Sequence, residues 1–376
     1  MSIKARFATL LAVAATALLA LPAAGQAEPL PADFWGVDSV NEPSGAEFNL
    51  MRATGVEVYR MPMSWRQIEP AAPVRVAGKE IRSYNWAEPD RLLTRAAQTG
   101  IAPHVTLIDT PSWIAADART SPIRTQEGER GWRAFTAAVV ARYGRGGEFW
   151  ALHPELPVNP PIAYQIWNEM NTVQRYRPKA NPREYAKLFG VAGTEIRKAE
   201  PGAQILPGGM FGTPQTPNSY DAWDFMRILL EQPGVRPFID AVGVHPYSPD
   251  LHGIKYQLDK MRSTLDKAGL PNVPLQVTEL GWSSGVHKDT FFFFKGPRGQ
   301  ARMLKRSFKL MLKNRERWNL ERVIWFSWRD VSKEEVPKGC TYCRKFGLLR
   351  EDLDPKGAYD EYKRYATGKA KIKPSR

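Results

Sequence analysis

Eight short runs of β-forming apolar residues recur along this chain, each followed by an amphipathic helical stretch. The runs are Phe34–Val40, Val56–Met63, Ile101–Ile108, Ile162–Trp167, Ala203–Pro207, Ile239–His245, Leu275–Thr278 and Arg322–Ser327. Helical patterns fall between and after them, near 45–54, 88–99, 129–143, 181–199, 221–231, 253–268, 297–317 and 355–366. Most of the runs are continuously apolar rather than alternating, as expected of strands covered on both faces in a parallel sheet. Eight strand–helix units in a single series predict an α/β fold, a single (β/α)8 TIM barrel, over a doubly wound sheet. No G-x-G-x-x-G follows the first run, which removes the usual dinucleotide site.

Composition agrees with one large globular unit. The 376 residues are 43% hydrophobic and 24% charged, which excludes a disordered or fibrous chain. Two cysteines exclude a disulfide framework. At the N-terminus, Lys4 and Arg6 precede an apolar run from Phe7 to Leu21, followed by Pro22 and the small-residue stretch Gly25-Gln26-Ala27. That order predicts a signal peptide over 1–27, a barrel domain over 28–366 and a basic tail over 367–376. The run is too short to span a bilayer about 30 Å thick, so no integral membrane segment is expected after cleavage. The expected protein is a monomer, secreted or associated with the cell envelope, that uses neither a metal nor an organic cofactor.

In a barrel the C-terminal strand ends converge on one face, and that face carries the chemistry. Those ends offer Arg60 and Trp65 after the second run, and His104 with Trp113 around the third. Asn168 and Glu169 follow the fourth, His245 and Tyr247 the sixth, Glu279 and Trp282 the seventh, and Trp328 the eighth. Two carboxylates, several indoles and few cations describe a sugar-cleaving cleft: aromatic faces stack on sugar C–H faces, and the carboxylates supply acid and nucleophile. Taken singly, Asn168-Glu169 could cap a helix and Thr278-Glu279 could end a strand in an ion pair. His104 could equally be a hydrogen-bonded structural histidine.

The ordered series adds to this. Ile166-Trp167-Asn168-Glu169-Met170-Asn171 and Val277-Thr278-Glu279-Leu280-Gly281-Trp282 resemble the strand-4 and strand-7 signatures of glycoside hydrolase clan A. With Arg60, Trp65, Tyr84-Asn85-Trp86, Thr110-Pro111-Ser112-Trp113, Pro207-Gly208-Gly209, His245-Pro246-Tyr247-Ser248 and Trp325-Phe326-Ser327-Trp328, the pattern is most similar to family 39 and its barrel-only bacterial relatives. The resemblance implies a retaining glycosidase acting on a polysaccharide or oligosaccharide. Glu169 would be the acid/base and Glu279 the nucleophile. Asn168 would bind the sugar 2-hydroxyl, and Arg60 would keep Glu279 ionised. Tyr247 would donate to Glu279, His245 would brace the same wall, and Trp328, with Trp282 beside it, would floor the sugar subsite. Glu169 would have to hold a proton while Glu279 does not. The absence of a β-sandwich accessory domain leans towards endo-action; a transglycosylase or a non-catalytic carbohydrate-binding barrel are the alternatives.

Three further features stand apart. Cys340 and Cys343 could suggest metal or redox chemistry, but in an exported chain they favour a local disulfide. Phe291–Phe294 lies in the loop after the seventh run, as core packing or as an aromatic wall of the cleft. Between Lys295 and Arg322 there are ten Lys/Arg and two Glu. With Ala301, Leu304, Phe308 and Met311 as its apolar stripe, this segment predicts a basic outer helix. With the tail it could hold the protein to an anionic envelope polymer. Without interleaved aromatics it is a poor nucleic-acid surface.

Overall fold

A computed structural model describes residues 30–285, 292–336 and 341–370. The expected signal peptide, Phe291, Cys340 and the tail beyond residue 370 lie outside them. The strands are β1 (Trp35–Asp38), β2 (Val58–Ser64), β3 (Val74–Val76), β4 (Lys79–Ile81), β5 (Ala102–Ile108), β6 (Ala163–Ile166), β7 (Gln204–Pro207), β8 (Met210–Phe211), β9 (Val242–His245), β10 (Leu275–Leu280) and β11 (Leu320–Phe326). Nine of them form one parallel sheet in the order β7-β6-β5-β2-β1-β11-β10-β9-β8. Its two ends, β7 and β8, are consecutive pieces of one strand interrupted at Gly208-Gly209. The first piece pairs with β6 and the second with β9, and this closes a TIM barrel.

All eight expected runs are strands of this sheet. The exposed antiparallel hairpin β3–β4 is an addition that its short polar sequence did not signal. The helices follow the expected spacing and cap as their sequences suggest. Ser44 and Glu47 form a reciprocal capping box at Gly45–Thr54, and Asn181 caps Pro182–Ala199. Gly296–Lys313 buries Leu304, Phe308 and Met311 and turns Arg302, Lys305, Arg306, Lys309 and Lys313 to solvent, as the stripe predicts.

Alternation along each strand separates two cores. Val58, Ala102 and Ile324 meet inside the barrel, as do Ala163, Leu206 and Ala241. Their neighbours Tyr59, Val105, Tyr164 and Val323 face the helices. Trp35, Trp132 and Trp150 belong to that outer layer, Trp35 stacking on Phe308 at 4.5 Å.

Candidate active site

Several charged side chains meet inside the barrel towards its C-terminal end. Arg60 on β2 has four side-chain partners, one of them Gln165, whose Oε1 accepts from Nε at 3.4 Å. Nη1 donates to Asp38 at the end of β1 and to Glu279 Oε1 (2.7 Å), and Nη2 donates to Asn168 Oδ1 (2.7 Å). Asp38 and Arg60 are register partners in the β1–β2 ladder, so the sheet itself sets them side by side. Burial, helped by Glu279 and opposed by Arg60, pushes the Asp38 carboxyl up to about 6. Glu279 also accepts from Tyr247 Oη at 3.2 Å.

Glu169 sits three residues beyond β6 on an unusual backbone. Trp167 and Glu169 both adopt left-handed φ values, 69° and 47°, which cost L-residues of order 1–3 kcal/mol each. Hydrogen bonds hold them there: Trp167 N to Leu107 O (2.7 Å), Glu169 N to Gly209 O (3.0 Å) and Trp167 Nε1 to Arg175 O (2.9 Å). His245 Nδ1 meets Glu169 Oε1 at 2.9 Å and lies 3.6 Å from Glu279 Oε2. Between two carboxylates, Nδ1 is the nitrogen that carries a proton. One carboxylate oxygen from each glutamate and one ring nitrogen of His245 all lie within 4.8 Å of one another. These are also the donors a metal ion would need, but they already face Arg60, Tyr247 and each other.

The His245 ring fits because residue 209 is glycine. A Cβ there would stand 2.0 Å from His245 Nε2 and 2.5 Å from Thr278 Oγ1. A Cβ on Gly208 would meet the Trp167 carbonyl oxygen in the same way, at 2.5 Å. The Pro207-Gly208-Gly209 break that closes the barrel therefore also makes room for the site.

Burial raises the Glu169 carboxyl, but the hydrogen bond from His245, with Arg175 and Arg60 beyond it, outweighs that and holds it below the usual range. In the free site Glu169 is ionised near neutral pH. Arg175 Nε lies 3.5 Å from Glu169 Oε2 and had no signal in the sequence beyond its place in the strand-4 loop.

Several expected contacts move elsewhere. His104 does face the barrel interior, but too deep. Its Nε2 meets Gln276 Oε1 (3.0 Å), and Gln276 reaches Gln204 and Glu321 in a network at the opposite end of the barrel. Burial holds His104 well below its ordinary pKa, hence neutral. Trp113 packs edge-on against Trp65 and donates to Glu69 O at 3.0 Å. Trp282 is fully buried, donates to Ser248 O (2.9 Å) and packs on Trp325. Trp328 is fully buried as well. Leu348 N donates to both Ser327 O and Trp328 O, so the chain after β11 folds under 346–349 and turns the indole towards Tyr359. The residue of β11 that does line the cleft is Phe326.

The cleft has a volume of about 950 Å³ and contains Glu169. Phe211, Tyr247, Phe292, Phe293 and Phe326 form an aromatic wall, with Tyr247 stacked on Phe211 (5.9 Å) and edge-on to Phe293 (5.2 Å). The loop after β10 thus supplies both wall and core: Phe293 lines the cleft and is buried in the main hydrophobic cluster, with Phe292 packed against it. Cys343 lines the same cleft and is disulfide-bonded.

No protein-family model matches the chain, and neither does any curated protein sequence. Solved structures do. The chain is similar to a family 39 glycoside hydrolase from Bacteroides cellulosilyticus WH2 (21% identity, TM-score 0.61), covering 90% of this chain and 64% of that one. It is also similar to a monomeric β-xylosidase from Caulobacter crescentus CB15 (18%, TM-score 0.61, 90% and 69%). A third is a GH5_18 protein from Bifidobacterium longum subsp. infantis (14%, TM-score 0.65, 92% and 81%). At these identities the likeness is one of fold, and it runs to the family that the strand-4 and strand-7 motifs resemble.

Proposed function

We propose that this protein is an exported glycoside hydrolase that cleaves O-glycosidic bonds with retention of configuration. The observation that carries the reading is the facing pair Glu169 and Glu279, on strands 4 and 7 of the barrel, with oxygens within 4.8 Å. Retaining enzymes bring their carboxyl groups to about 5–5.5 Å, whereas inverting ones leave about 6.5–9.5 Å for a water. The fold likeness to glycosidases supports the same reading.

In the first step Glu279 attacks the anomeric carbon while Glu169 gives its proton to the departing oxygen. The C–O bond breaks as the glycosyl ester forms. Glu169, now a base, takes a proton from water, which attacks the same carbon and releases Glu279. Arg60 and Tyr247 hold the nucleophile, and Asn168, its Oδ1 fixed by Arg60, turns Nδ2 towards the sugar 2-hydroxyl. Phe326 takes the platform role first expected of Trp328.

A cleft near the upper end of the roughly 300–1,000 Å³ range of ligand sites supports action on a chain rather than on a single sugar. The apolar N-terminal run supports export, and the basic helix supports association with an anionic envelope polymer. Proton NMR of the first product formed from a glycan that the enzyme cleaves tests the mechanism: the product keeps the anomeric configuration of the substrate, and an inverted anomer overturns it.

A further inference from the structure

The loops after β5 and β6 are joined to each other. Arg177 N donates to Arg119 O (2.9 Å), Thr120 and Arg177 form a parallel bridge, and Arg119 Nη1 reaches Gln174 O (3.4 Å). The joint gathers three guanidiniums on one side of the cleft. Arg119 and Arg175 line it, and Arg177 stands behind Arg119; their side chains are 43%, 48% and 42% exposed. Asp117 takes Arg119 through two bonds of 2.8 Å and lies 4.0 Å from Arg177. Glu169 lies 3.5 Å from Arg175. Asp109, held by Ser64 Oγ at 2.7 Å, is pushed towards its neutral form by burial. Asp250, which also lines the cleft, belongs to the loop after β9, where it caps Leu251–Lys267 through Gly253 N.

This rim is the leaving-group side. His245 occupies Glu169 Oε1, which leaves Oε2 to exchange a proton with the glycosidic oxygen, and Arg175 stands beside Oε2. Glu279 attacks from the opposite face, so the part of the substrate next to Arg175 and Arg119 is the part that departs. The excess of positive charge is larger in the complex poised for cleavage, where Glu169 carries the proton that it gives up as the bond breaks.

Resting on the hydrolase reading, we propose that the leaving-group subsite takes an acidic sugar, a uronate whose carboxylate pairs with Arg175 and Arg119. A guanidinium gives a carboxylate oriented donors as well as charge; Arg119, whose Nε and Nη2 hold Asp117, contributes here through its charge. The same pairing answers the awkward resting state of Glu169. A carboxylate on Arg175 offsets the positive charge that disfavours the protonated acid, so the substrate that binds also lets Glu169 take up its proton.

The test uses uronate-containing oligosaccharides, each matched with its carboxyl-reduced counterpart. Binding is measured by calorimetry on Glu279→Gln in the full chain, and turnover on the otherwise unaltered enzyme. At least one acidic member binds about tenfold tighter than its neutral partner, the scale of one charge-assisted hydrogen bond. That margin shrinks at high salt and vanishes in Arg119→Gln/Arg175→Gln, while Arg175→Lys retains part of it. Equal affinity in every pair, binding to none, or an acid preference that survives loss of both arginines overturns the proposal. Acid-selective binding with no turnover of any glycan breaks the hydrolase reading and leaves the anionic subsite standing. Turnover without acid preference does the reverse.

Discussion

Arg60 Nη1 donates to Glu279 Oε1 at 2.7 Å, and this contact fixes where that carboxylate points. Because the same guanidinium also holds Asn168, a single side chain sets the distance between the Glu279 carboxylate and the Asn168 amide. Asp38 is the anchor on its far side. Replacing Asp38 with Asn keeps the shape but removes the charge that fixes Arg60. Misplacement of a reacting group by about 1 Å can cost about 10²-fold in rate. Asp38→Asn is therefore expected to lower kcat by one to two orders of magnitude on that scale, with little change in KM. A change confined to KM would contradict this role.

Gly209 gives a steric prediction. Ala at 209 places a methyl group within 2.0 Å of His245 Nε2. Overpacking of this kind costs about 1–3 kcal/mol of stability. The expected result is a folded variant, measured by thermal melting, in which His245 is displaced and activity on unactivated glycosides falls more than stability does. Full activity would mean that the ring position is unimportant.

The pH profile carries a sign. Glu169 is held below the usual range, so its protonated fraction falls at lower pH than an ordinary glutamate's. For a substrate with a poor leaving group, kcat/KM declines as pH rises through that depressed value. An activated aryl glycoside, which needs no proton, does not show the decline. Removing a group that lowers the pKa moves the falling limb to higher pH. The shift is larger for His245→Ala than for Arg175→Gln, because the His245 hydrogen bond is the stronger of the two influences. A limb that stays in place in both variants refutes this account of Glu169.

Phe326 and Trp328 separate platform from packing. Phe326→Ala removes an aromatic face from the cleft, where burying a Phe side chain is worth about 1.5–3 kcal/mol, so KM rises by roughly ten- to a hundredfold. Trp328→Phe, in the buried seam, lowers the melting temperature and leaves KM near its original value. The opposite pattern would restore Trp328 as the sugar platform.

A buried ion pair beneath the site offers a test of stability alone. Lys356 Nζ lies 2.8 Å from Asp330 Oδ1, with both side chains at most 5% exposed, and Gly347 N donates to the same carboxylate. Lys356→Met leaves the acid with Lys345, 3.7 Å away and 40% exposed, as its remaining cation, and breaking such a buried pair costs about 3–5 kcal/mol. Denaturant unfolding measures the loss; a change below about 1 kcal/mol, far under that scale, would contradict it.

The barrel was legible because its strands are continuous apolar runs and its helices keep a 3.6-residue stripe. Glu169, Glu279, Arg60, Asn168, His245 and Tyr247 were legible because strand ends in a barrel share one face. Depth and facing were not. His104 is inward and is the register partner of Arg60, but its ring turns to Gln276, near the start of β10, and so joins the network at the far end, whereas the longer Arg60 side chain reaches the site. The indoles of Trp282 and Trp328 follow turns just past strand ends, where alternation no longer says which way a side chain points. Asp38 stood at a strand end and could have been found by the rule that found Arg60. Arg175 could not, because its place beside Glu169 depends on how two loops join.

The central claim is that Glu279 attacks and Glu169 exchanges the proton, and azide rescue tests it most directly. In Glu279→Ala, added azide restores cleavage of an activated glycoside and yields a glycosyl azide of inverted configuration. In Glu169→Ala, Glu279 still attacks first, so azide yields a product of retained configuration. The reverse pair of configurations would mean that the two roles have been exchanged, and rescue of neither variant would contradict the double displacement itself.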